Sequence, residues 1–106
     1  MDDESRRNYA SEKIGYAMEA LVFGDGDFRS RVIEAYGDSV GRCSEVEPFS
    51  VQLRRIHSLF EAVENEDYSG ITDVEMREAG DVIKELFALA SVRQAVEDEK
   101  RFGAIR

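Results

Sequence analysis

His57 is the single histidine of this chain, and Glu61 follows it four residues later. On a helix that spacing puts both side chains on one face, where they could meet. They make at most half of a metal site, because catalytic zinc usually takes three protein ligands. Glu64, about one turn further on, is the only local third candidate. Di-iron bundles use Glu-x-x-His, and here Arg54 stands three residues before His57, which excludes that motif. The bland expectation is a solvated surface pair, with no cofactor and no metal. A metal-binding or enzymatic helical protein using His57 and Glu61 is kept as an alternative.

Cys43 is the only cysteine, so no intramolecular disulfide can form, which fits a reducing compartment. Arg42 beside it would favour the thiolate. A cysteine hydrolase also needs a base within reach, and only His57 could serve. A structural thiol is the simpler expectation. Carboxylates are too numerous for one pair to stand out as acid and base.

Residues Phe23–Arg31 read FGDGDFRSR, which invites a metal or phosphate reading. An EF-hand loop counted from Asp25 would need an oxygen ligand at its fifth position and glutamate at its twelfth. Arg29 and Tyr36 occupy those places. No GxxxxGK[ST] phosphate loop is present, and no strand precedes the glycines. The stretch reads instead as a corner between helices. Gly24 supplies a left-handed residue after the first helix, and Asp27 caps the second.

Charge singles out two further groups. The formal net charge is −9, distributed as −4 over residues 1–28, +1 over 29–60 and −6 over 61–106. Arg29, Arg31, Arg42, Arg54 and Arg55 gather in the middle segment. If the second and third helices pair, several of these would share a surface able to grip an acidic partner or a phosphate. Pairing with nearby glutamates is the plainer expectation. Glu61, Glu64, Glu66, Asp67, Asp73, Glu75, Glu78, Asp81 and Glu85 form an acidic run that could imitate a nucleic-acid backbone. Tyr16 and Phe23 lie two turns apart, off the apolar stripe of their helix. They either extend the core or form an exposed interface strip.

The elements that must position these residues are helices. Ile14, Ala17, Met18, Leu21 and Val22 recur at helical spacing, with a start at Ser5 or Ser11. Gly15 inside that helix would permit a close crossing. Phe28, Val32, Tyr36 and Val40 recur every four residues and end near Gly37 or Gly41. A third helix starts at or near Pro48, where Phe49, Leu53, Ile56, Phe60 and Val63 step by four and three. Thr72 and Glu75 form a capping box, and Ile71 with Met76 a hydrophobic staple. A wide stripe follows from Met76 to Ala90, and Gly80 marks a kink or a close crossing. No segment shows sustained period-two alternation. The fold class is therefore all-α, an irregular bundle of about four helices in one domain, residues 1–106. Residues 1–8 and 101–106 are expected to be the least ordered.

With 42% hydrophobic and 35% charged residues, the chain is globular rather than disordered. The start Met1-Asp2-Asp3-Glu4 lacks the basic and apolar runs of a secretory leader, and no apolar run is long enough to span a bilayer. A cytoplasmic location is expected. The strong acidity disfavours direct nucleic-acid binding. The leading functional expectation is a non-enzymatic protein that acts by protein–protein interaction, with self-association on the Tyr16–Phe23 strip as an option. An acidic nucleic-acid mimic that inhibits a basic protein is the second. The interaction candidates are Tyr16, Phe23, Arg29, Arg31, Arg54, Arg55, Glu75 and Glu78.

Overall fold

The computed structural model describes residues 2–103. It contains four α-helices: α1 (Asp3–Phe23), α2 (Phe28–Asp38), α3 (Ser50–Leu59) and α4 (Asp73–Gly103). A single 3-10 turn, Val40–Arg42, follows α2. Among the described residues there is no strand, and no helix is long and apolar enough to cross a membrane.

α1 begins earlier than Ser5 because Asp2 caps it, its carboxylate accepting from the Ser5 N–H at 2.8 Å. Residues 3–8 are thus helical. Ala10, Ile14, Ala17 and Leu21 form the buried stripe, whereas Val22 is about half exposed. Gly24 corrects the expected left-handed cap: its backbone is extended (φ −65°, ψ 157°). Glycine is needed there for clearance, since a Cβ would lie 2.3 Å from the Ala20 carbonyl oxygen. The left-handed residue of the corner is Gly26, at φ +91°. Asp27 caps α2 as expected, accepting from the Ser30 N–H at 2.8 Å.

α3 starts two residues after Pro48, with Phe49 at its cap position. Phe49, Leu53, Ile56 and Phe60 are buried, so the four–three–four spacing faces the core even though Phe60 lies just past the helix end. The capping box of α4 is formed: Thr72 N–H donates to Glu75 at 3.0 Å, and Glu75 N–H donates to Thr72 Oγ1 at 3.1 Å. Ile71 and Met76 are both buried.

α4 has 31 residues, about 46 Å at 1.5 Å per residue, and it sets the 54 Å long axis of the molecule. Met76, Ala79, Val82, Ile83 and Leu86 are buried, and among the described residues none beyond Leu86 is. The outer part runs back along α1, where the Arg93 guanidinium donates to Asn8 Oδ1 at 3.0 Å and Ser11 Oγ at 3.3 Å. The close approach falls at Gly80, where a Cβ would meet the tip of the Phe28 ring at 2.7 Å. A Cβ at Gly15 would meet nothing within 4 Å, so that glycine serves no crossing. The helix continues through Glu97 to Gly103, and residues 104–106 lie outside the described residues.

Candidate interaction surfaces

The outer face of α1 is one surface. Tyr9, Lys13, Tyr16, Ala20 and Phe23 step by four, three, four and three, so they line up on a helix. The line runs beside the buried stripe Ala10, Ile14, Ala17 and Leu21, and its members Tyr9 and Ala20 pack against the core, which leaves Tyr16 and Phe23 as its exposed rings. Phe23 is 80% exposed and Tyr16 50% exposed. Lys13 Nζ lies 5.4 Å from the ring centroids of both Tyr9 and Tyr16, within cation–π range. The Tyr16 hydroxyl donates to Glu12 at 3.2 Å, and the Glu12 charge beside it raises its pKa above the ordinary 10.0. Glu19 and Glu34 flank the same face where it meets α2.

The groove between α3 and α4 is the second surface. Val51, Arg54, Arg55, Ser58 and Leu59 line it from α3, and Glu75 and Glu78 from α4. Four of the eight interaction candidates meet here. Arg55 reaches across to Glu85 at 3.1 Å and Glu78 at 3.6 Å. Arg54 turns to Glu45 at 3.1 Å. Val51 is 58% exposed within this groove, and Val74, beside Glu75 in sequence, is 69% exposed. Composition did not single out either valine. The available signal for Val51 was an apolar residue among Gln52, Arg54 and Arg55 on the polar side of α3.

Arg29 and Arg31 do not join that surface. One amino group of Arg29 donates to the carbonyls of Tyr68 (2.7 Å) and Ile71, and the other to Asp73 at 3.1 Å. It thereby ties α2 to the loop leading into α4. That loop turns through Asn65 (φ 53°) and Glu66 (φ 59°), closed by Asp67 N–H to the Glu64 carbonyl at 3.0 Å. Arg31 donates to the Leu21 carbonyl at 3.0 Å, which satisfies an orphan acceptor at the end of α1. Several acids of the 61–85 run are likewise engaged: Asp67 with Ser69, Asp73 with Arg29, Glu75 in its cap, and Glu78 and Glu85 with Arg55.

His57 departs from the expected pairing with Glu61. Its Nε2 lies 2.9 Å from the Cys43 carbonyl oxygen and its Nδ1 2.9 Å from the Tyr36 hydroxyl. A carbonyl only accepts, so Nε2 carries the proton and Nδ1 accepts from Tyr36. Both nitrogens of the ring are therefore in use. Tyr36 also stacks on Phe60 with centroids 4.1 Å apart, which holds the imidazole between α2 and α3. The Cys43 thiol is buried, its Sγ 3.9 Å from the Ser39 carbonyl, and burial pushes its pKa up to about 11. The histidine thus meets the cysteine's backbone and not its sulfur. Among the described residues, no group of three or more His, Cys, Asp or Glu side chains is placed to hold a metal ion.

No protein-family model, curated protein or solved structure matches this chain.

Proposed function

We propose that this protein is a non-enzymatic interaction module of the cytoplasm that binds another protein through the outer face of α1. The observation that carries the reading is Phe23, 80% exposed and two turns from the half-exposed Tyr16 on one line of the helix. Large aromatic side chains lose little conformational entropy on docking and recur as binding anchors. Neither ring contributes to the buried core, so the fold gives no other account of them. The engaged nitrogens of His57 and the raised pKa of Cys43 support a role without chemistry. A buried reduced thiol suits the cytoplasm. The internal use of Asp73, Glu75, Glu78 and Glu85 weighs against the nucleic-acid mimic.

The test is affinity capture with the tagged chain at about 500 mM salt, where exposed charge pairs are largely screened. A partner held by the parent protein and lost with Tyr16→Ser/Phe23→Ser is the expected result. The double variant must keep the parent's circular dichroism and melting temperature. Retention of every partner by that variant would overturn the assignment to α1.

A further inference from the structure

We infer that the outer half of α4 pairs, antiparallel, with the same segment of a second copy of this chain, about a two-fold axis level with Ser91 and Val92. The inference does not rest on α1 binding another protein. From Phe87 to Val96 the helix carries one charge, Arg93, and its guanidinium is spent on Asn8, Ser11 and Glu97. Ala88, Ser91, Val92 and Ala95 recur at i, i+3, i+4 and i+7, which puts them on one face. All four are exposed, Val92 by 62%, and the exposed Phe87 and Val96 flank them. The Ser91 hydroxyl donates to the Phe87 carbonyl at 2.9 Å, so the one polar group of the face is already satisfied. This is an apolar helix face that no element of the fold covers.

Charge chooses its occupant. Lys84 stands one turn before Ala88 and Glu99 one turn after Ala95, on the same face and equally far from the midpoint between Ser91 and Val92. Neither has an ion-pair partner among the described residues. An antiparallel second copy sets each Lys84 against the other's Glu99, twice over, with Ala88 level with Ala95 and Val92 packed on its own counterpart. A parallel pair would set lysine on lysine and glutamate on glutamate. The chain as a whole carries −9, and two copies repel wherever acids prevail. Residues 84–101, however, hold four bases and four acids. On the outer face of α1, by contrast, Glu12, Glu19 and Glu34 attend one cation, Lys13. Space favours the same pairing. Burial along α4 stops at Leu86, so each sealed half lies level with the other's helix end, and each core sits on the far side of its own helix.

About four turns of helix from each copy make a small contact, so the dimer is weak, with a Kd in the micromolar range. Sedimentation equilibrium of the full chain at low salt, from about 5 to about 500 µM, tests it. The parent protein is expected to show a monomer–dimer equilibrium. Lys84→Glu and Glu99→Lys should each weaken it about tenfold, because each homodimer then sets like charges together at both ends. An equimolar mixture of the two variants should recover the dimer, since every reversed residue then faces an opposite charge. Val92→Glu, at an exposed position, should abolish the dimer and keep the parent's circular dichroism. Tyr16→Ser/Phe23→Ser should leave it intact. A parent protein that stays monomeric throughout would overturn the inference and leave the face to another occupant. A mixture that does not recover, or a dimer that survives Val92→Glu, would overturn it equally.

Discussion

Arg29 and Arg31 on α2, and Tyr16 and Phe23 on α1, carry equal claims as binding residues when read along the chain. The folded protein separates them. The arginines spend their donors on the protein itself: Arg29 on the loop before α4, and Arg31 on the last turn of α1. The aromatic pair is turned outward, with Phe23 the more exposed. A side chain already satisfied internally must break bonds before it can bind, whereas an exposed ring only loses water. Surface chemistry is therefore best sought among residues the fold does not use.

The contrast predicts a ladder of effects. Arg29→Ala should be the most damaging, costing about 2 kcal/mol in denaturant unfolding, because it strands the Ile71 carbonyl, removes the Tyr68 and Asp73 bonds and unties a loop. A variant as stable as the parent would put Arg29 back among the binding candidates. Arg31→Ala should cost about 1 kcal/mol, the value of a helix-end bond. Glu66→Gly should stabilise by a similar ~1 kcal/mol, since it removes a left-handed glutamate from the turn that Arg29 holds. Tyr16→Ser/Phe23→Ser should fall within about 0.5 kcal/mol of the parent, as for other surface changes. A larger loss would mean that α1's outer face supports the fold.

Acid sharpens the same comparison. The Ser30 N–H bond to Asp27 holds its carboxyl below the ordinary 3.8, so α2 gains stability from the ionised cap. That gain is complete above the unfolded pKa and is lost as pH falls through the lower folded value. Asp27→Asn keeps a capping oxygen and should flatten this acid limb of the unfolding curve while changing neutral stability little. The α1 face, by contrast, should add nothing to the acid limb through Tyr16, whose raised pKa lies far to the alkaline side.

Local signals were legible in the sequence where their physics is local. The Thr72–Glu75 box and the Asp27 cap each depend on residues within one turn, and both are formed. The α3 stripe, which steps one turn at a time, is buried from Phe49 to Phe60, while Val63, its expected last member, lies past the end of the helix and is only partly buried. The all-α bundle follows from the same periodicities. Features that depend on distant neighbours were not legible. Gly24 is required because a carbonyl approaches it, and Gly80 because a ring from α2 does, yet neither neighbour announces itself. His57 looked like half of a surface pair because Glu61 is near in sequence, while its true partners come from α2 and the segment after it. The exposure of Phe23 was undecidable from spacing alone. Whether an off-stripe aromatic is covered depends on where α2 turns after the Gly24–Asp27 corner.

α4 joins two environments in one unbroken hydrogen-bond ladder. Its first half is sealed up to Leu86, and its second half is tied to α1 through Arg93. Local opening costs least where few buried groups hold the backbone. Amide protection should therefore climb steadily from Gly103 inward, pause at Arg93 and reach its plateau at Leu86. One helix would then record, residue by residue, how deeply the core reaches.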